Sequence, residues 1–195
     1  MDGMTWMAGA MHAAQAQLDT AAHNLANVTS DGFRRVRSKL TLTDRGLIAT
    51  ESPTFSQGGI RETGRRFDLA LLGPGAFAVD GGSTRDGAFR RDRDGFLTAD
   101  DGRKLHGMRA AIRVSAEASV EPDGSIRDGG RIVDRLRLPA GTTVRSGALE
   151  SSNVDAIGES LAILTAQRSF ETAQKTFVAI DTTRDKSVND VGRLK

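Results

Sequence analysis

The chain contains no cysteine, which excludes disulfides, zinc–thiolate sites and thiol nucleophiles. Zero cysteine also suits a protein working outside the cytoplasm without disulfides. Aromatic residues are scarce at 5%, and only 38% of the 195 residues are hydrophobic, leaving one or two domains with a modest core. No run approaches the roughly eighteen consecutive apolar residues of a membrane span, so direct membrane insertion is not expected. No Lys or Arg precedes Arg34 and no continuous apolar stretch stands near the start, so no cleaved signal peptide is expected. A strong charge of one sign is lacking too. The net charge is +2, and the pI of about 9.4 reflects many arginines closely balanced by acids. Arg34, Arg35, Arg37 and Lys39 make one basic cluster with only Phe33 as an aromatic neighbour, which reads as a solvated or subunit-facing patch rather than a nucleic-acid site.

Catalytic and metal-binding motifs fail on inspection. With Gly95 placed at position six of an EF-hand loop, Arg90 falls at position one, where a carboxylate ligand is required. Gly73-Pro74-Gly75 is a turn and not a phosphate-binding loop. His12 and His23 share a helix face but stand roughly 16 Å apart, too far to hold one metal ion. His106 stands alone. The sequence reads as non-enzymatic, with no cofactor and no metal.

What is present is concentrated at the two ends. Met4, Met7, Met11, Ala14, Leu18, Ala21 and Leu25 recur at alternating steps of three and four, and Ile163, Ala166, Phe170, Ala173, Phe177 and Ile180 repeat that pattern. The first seam predicts an Ala-rich helix over residues 3–27, ending at Asn27, which tolerates the left-handed conformation of a helix C-cap. Residues 3–30 carry one formal charge, Asp19, and the stripe Gln17, Thr20, Asn24 and Asn27 is polar but neutral, better suited to close packing than to water. The second seam predicts a helix over residues 152–186, capped by Ser152 or Asn153 with Asp155 in a capping-box position. Asp155 and Glu159 near its start, and Arg184 and Lys186 near its end, complement the helix dipole. Val154, Ile157, Leu161 and Leu164 form a further apolar stripe, which suits either a broad single interface or more than one partner.

Between the helices, residues 34–66 read as an extended, partly ordered arm with weak strands. From Phe67 onward, short apolar runs alternate with turn signals such as Asp80-Gly81, Asp94-Gly95, Asp101-Gly102 and Asp123-Gly124, the mark of antiparallel hairpins. The expected fold is therefore α+β. Residues 1–33 plus 147–195 form a core domain of paired terminal helices, a coiled coil. Residues 34–66 form the arm, and 67–146 a small inserted antiparallel β-domain.

Several stretches resemble one known family in order along the chain. Ala22-His23-Asn24-Leu25-Ala26-Asn27-Val28 followed by Asp31-Gly32-Phe33-Arg34 is similar to the N-terminal signature of flagellar basal-body rod and hook proteins, with His23 where Asn is commoner. Gly58 to Val79 resembles the family's entry into its β-domain, with Gly75-Ala76-Phe77 where Gly-Phe-Phe is usual. Thr84 to Phe89 and Asp94 to Leu97 resemble the hairpins that follow. Gly147 to Val154, Gln167 to Glu171 and Val188 to Leu194 resemble the C-terminal helix.

The resemblance implies a structural subunit, without catalysis, that stacks helically through its terminal helices to transmit torque from motor to hook. It implies export through the flagellar type III apparatus without a cleaved signal, and residence in the periplasmic rod of the basal body. Partners would be copies of the chain, other rod and hook subunits and the export apparatus. The expected subunit contacts are Met4, Met7, Met11, Leu18, Asn24, Leu25, Asn27, Gly32, Phe33, Asn153, Val154, Ile157, Leu161, Ile163, Phe170 and Phe177. A single β-domain favours the proximal rod, with the distal rod protein as the alternative. A coiled-coil adaptor or export-associated protein that never polymerises is the alternative of another class. Its free helix face should carry charges, which the Gln17–Asn27 stripe lacks.

Overall fold

The computed structural model describes residues 3–43 and 46–192. Residues 1–2, 44–45 and 193–195 of the expected domains, with the Arg193-Leu194 end of the C-terminal motif, lie outside the described residues. The chain is α+β, with two helices and several small antiparallel sheets, and it divides into two compact units.

The first unit takes residues 1–26, 35–54 and 155–195. Its first helix, α1 (Gly3–Ala26), starts and stops close to where its seam does. Asn27 is not left-handed, contrary to expectation, since every positive φ in the described chain belongs to glycine. A turn ends the helix instead: the Ser30 amide donates to the Asn27 carbonyl at 3.2 Å, and the Ser30 hydroxyl donates to Asn27 Oδ1 at 3.1 Å. The Asn side chain thus fastens the turn without any strained backbone.

Residues expected to be a partly ordered arm form a regular hairpin, β1 (Val36–Thr43) and β2 (Gly46–Pro53). Its register sets Val36 opposite Pro53, Ser38 opposite Glu51, Leu40 opposite Ala49 and Leu42 opposite Leu47, so these eight residues share one face. The alternation is weak because that face mixes Ser38 and Glu51 with aliphatic residues. The hairpin lies beside α1, where the Thr20 hydroxyl donates to the Glu51 carboxylate.

The second helix, α2 (Ala156–Gly192), begins four residues later and runs further than expected. Asp155 is the N-cap, its Oδ1 accepting from the Ile157 amide at 3.1 Å. Ser152 and Asn153, the expected caps, are engaged elsewhere: Ser152 Oγ accepts from the Val154 amide and the Asn153 amide group donates to Ser56.

The second unit takes residues 27–34 and 55–154. Its strands are β3 (Ile60–Glu62), β4 (Leu69–Leu72), β5 (Phe77–Val79), β6 (Gly82–Thr84), β7 (Arg90–Arg91), β8 (Leu97–Thr98), β9 (Ser119–Val120), β10 (Ser125–Asp128), β11 (Arg131–Arg135), β12 (Thr143–Ser146) and β13 (Ala148–Glu150). Local hairpins β5–β6 and β7–β8 and the β9–β10–β11 sheet follow the Asp-Gly signals. Two long-range antiparallel pairs, β3–β13 and β4–β12, bring the ends of the segment together. Leu69, Leu71, Phe77, Phe89, Leu97, Leu105, Ile112 and Ile126 are among the buried core residues, and the rings of Phe77 and Phe89 meet edge to face at 5.1 Å.

Aspartates fasten the loops. Burial does not hold them; hydrogen bonds do. The Ser115 hydroxyl and amide keep the Asp128 carboxyl below the usual range, and the Ser125 amide and hydroxyl do the same for Asp123. Removing the Phe77 ring (Phe77→Ala) should cost about 3–5 kcal/mol, read as a lower urea midpoint for the β unit. Because depressed carboxyl pKa values confer stability above the unfolded-state pKa, that stability is lost as pH falls below about 4. Asp128→Asn should flatten this acid limb in a series of urea midpoints against pH.

Candidate functional site

The seam residues of α1 and α2 meet along an interface of small side chains. Ala13, Ala14 and Ala21 are buried on α1, and Ala166 and Ala173 on α2. At the open end a Cβ added at Gly3 would lie 3.6 Å from Ile180 Cδ1, and Arg184 donates to the Met4 sulfur at 2.9 Å. The large seam residues are only half-buried: Met4, Met7, Met11, Leu18 and Leu25 on one helix, Ile163, Phe170 and Phe177 on the other. Met7 borders a groove with Arg168, Thr172, Ala173 and Thr176.

At the other end the interface becomes polar. Glu159 is 2% exposed, one heptad before Ala166 and two before Ala173. Its Oε1 accepts from Arg35 Nε, and its Oε2 from Asn24 Nδ2 at 3.2 Å. Asn24, equally buried, also donates to the Val36 carbonyl and accepts from the Val36 amide, both at 2.8 Å. The side-chain amide thereby replaces a peptide of a neighbouring strand at the start of β1. This node joins α1, β1 and α2, each through a different residue.

Of the expected contact residues, Asn24 is buried in that node, and Asn27 closes the turn after α1. Gly32, Phe33, Asn153 and Val154 are half-buried in the β unit. There the Gly32 amide donates to the Glu150 carbonyl at 2.6 Å, and the Asn153 amide to the Phe33 carbonyl at 3.4 Å. Ile157 and Leu161 do not join the Ala166 face. With Leu164 they lie roughly opposite it at 74%, 59% and 52% exposure. Sequence reasoning missed Glu159 as an interior group and Arg35 as its partner, whereas Thr20 and Asn24 lie in the neutral stripe expected to pack closely. The signal was present: Glu159, Ala166 and Ala173 occupy one heptad position, whereas a first-turn acid is ordinarily assigned to the helix dipole and to solvent. Among the described residues no cluster of three or more His, Asp or Glu side chains is placed to hold a metal ion.

Removing either acceptor or donor leaves buried groups unpaired. Glu159→Ala should cost about 3–5 kcal/mol, and Asn24→Ala about 1–3 kcal/mol, both read as loss of helical signal in circular dichroism on heating. The double variant should lose less than the sum of the two.

A profile of flagella basal body rod proteins matches residues 6–34, and one of the flagellar basal body rod FlgEFG protein C-terminal region matches residues 145–190. Similar proteins include the flagellar basal-body rod protein FlgG of Agrobacterium fabrum, 26% identical over 251 aligned positions covering 93% of this chain and 96% of the relative. FlgG of Bacillus subtilis is 27% identical over 254 positions, with 93% and 94% covered. The rod protein FlgF of Mesorhizobium japonicum is 26% identical over 228 positions, with 94% and 95% covered. Matched at both helices and along nearly the full length of these relatives, the chain is similar to the flagellar basal-body rod and hook proteins.

Proposed function

We propose that the chain is a structural subunit of the bacterial flagellar basal-body rod that polymerises helically through its terminal helices. The observation that carries this reading is the second apolar stripe of α2. The seam of Ala166 and Ala173 is turned to α1, yet Ile157, Leu161 and Leu164 stay in water on the far side, together with Val178 further along. Such a stripe is a cost to a lone chain and an asset to one packed among copies. The names of the rod relatives support the same reading.

The role is mechanical. Many repeated, non-closing contacts of the heterologous kind build a tube that carries torque from motor to hook. The paired helices form its coiled-coil core, and contacts run through the half-buried seam residues Met4, Met7, Met11, Leu18, Leu25, Ile163, Phe170 and Phe177 and through exposed Ile157 and Leu161. Asn24, Asn27, Gly32, Phe33, Asn153 and Val154 hold the segments that leave and re-enter this core. Partners are copies of the chain and other rod and hook subunits. The subunit passes through the type III export apparatus without a cleaved signal, and functions in the periplasmic rod. The proximal rod is favoured over the distal rod by the one small β unit.

Two outcomes test this. Leu161→Asp, at an exposed position, should leave the circular dichroism and urea midpoint of the purified protein unchanged while abolishing its recovery in isolated basal bodies; normal incorporation would overturn the interface. Electron microscopy of basal bodies from a strain lacking the gene should show only a membrane-proximal stub. A rod that forms but stops before its distal segment would make the chain the distal rod protein, and intact rods would overturn the reading.

A further inference from the structure

Two guanidinium groups meet in the β unit and are served unequally. Arg85 is buried and saturated. Its Nε donates to Glu150 at 2.8 Å, its Nη1 to the carbonyls of Gly73 and Gly75 at 2.9 Å each, and its Nη2 to the Leu71 carbonyl at 3.2 Å. Glu150 is engaged at both oxygens, the other accepting from the Gly58 amide at 3.1 Å. Arg34 has no such company. Its Nε is buried with no hydrogen-bond partner, and it makes no ion pair among the described residues.

Burial and the adjacent Arg85 charge both push the Arg34 pKa down, and Glu150, already engaged, offsets this only in part. An arginine does not deprotonate to escape such a setting, so half-buried Arg34 stays a cation with an unmet Nε donor. Nor does the loop have room to withdraw. Gly32 sits at φ 69° so close to the Arg85–Asp86 backbone that a Cβ there would fall 2.3 Å from the Arg85 carbonyl carbon. The Phe33 amide donates back to the Ser30 carbonyl at 3.2 Å.

Arg34 is thereby held in the wall of a cleft of about 410 Å³ that Ser83, Thr84, Arg85 and Asp86 also line. A planar fork of donors short of an anion matches a carboxylate. Asp86 narrows the choice. Burial pushes its carboxyl pKa up, and one of its oxygens accepts from the Ala88 amide at 3.0 Å. A multiply charged anion would meet repulsion there, whereas a single carboxylate engages Arg34 and leaves Asp86 its amide.

We propose that this cleft is a carboxylate-binding site anchored by Arg34. The carboxylate comes from an acidic side chain of another copy or from a free monocarboxylate. The binding does not depend on the rod assignment, although the first source does.

The test uses the full-length protein and sodium acetate as the probe, against sodium chloride at equal ionic strength. The Arg34 Nε–Hε signal, assigned by its absence in Arg34→Lys, should shift and saturate with acetate and not with chloride. Arg34→Lys keeps the charge without the fork, and should weaken acetate binding about tenfold as followed by backbone amides of residues 83–86. No saturable shift, or an equal response to chloride, would overturn the proposal, whatever becomes of rod incorporation. Sedimentation velocity then separates the sources. Self-association lowered by both acetate and Arg34→Gln, with the β-unit dichroism unchanged, identifies the carboxylate of another copy. Acetate binding that leaves self-association untouched identifies a free monocarboxylate.

Discussion

The helical unit depends on one buried carboxylate. Glu159 is satisfied only if the last turns of α1 bring Asn24 to it and the start of β1 brings Arg35. The rest of the α1–α2 interface is alanine, threonine and half-exposed large side chains, which bury little apolar area per residue. Small residues let the helices approach closely but say little about where each should stop. The polar node supplies what the apolar interface lacks, since a buried charge tolerates few arrangements. Three segments far apart in sequence must arrive together, or the carboxylate is left unpaired.

The β unit is built on a different principle. Its core holds large aliphatic side chains and an edge-to-face phenylalanine pair, with one buried ion pair, Arg85–Glu150, beneath it. Its ends are joined by β3–β13 and β4–β12, so everything between is inserted above a closed base. The relatives fit that plan. Their alignments run over 251, 254 and 228 positions, more than the 195 residues here, so the relatives carry extra residues inside the matched region. The two family profiles match at 6–34 and 145–190, so most of this unit's main segment, 55–154, lies between them.

Much of this was legible in the sequence, for identifiable reasons. The extent of α1 followed from the spacing of Met4 through Leu25, and the hairpins at β5–β6 and β7–β8 from Asp80-Gly81 and Asp94-Gly95. Those signals are local and are decided by the residues that carry them. The β1–β2 hairpin escaped because one face carries Ser38 and Glu51 among its aliphatic residues, and the partner of Glu51 is Thr20 on α1, not a residue of the hairpin itself. The N-cap was placed at Ser152 or Asn153 where Asp155 performs it, because three candidates within four residues are equivalent until tertiary contacts engage the others. Glu159 escaped for the same reason: a carboxylate is buried only when its partners are near, and Asn24 and Arg35 are more than a hundred residues away.

The alanine seam has one further consequence. Ala14 and Ala21 on α1, and Ala166 and Ala173 on α2, repeat at seven residues, so sliding one helix past the other by a heptad, about 10 Å, sets alanine against alanine again. Sterically the interface is nearly periodic, a ruler with identical marks. Glu159 occupies the next mark in that series and is the only one of the three that Asn24 can read. A single non-repeating position therefore breaks the translational degeneracy of the whole helix pair and serves as the zero of the scale.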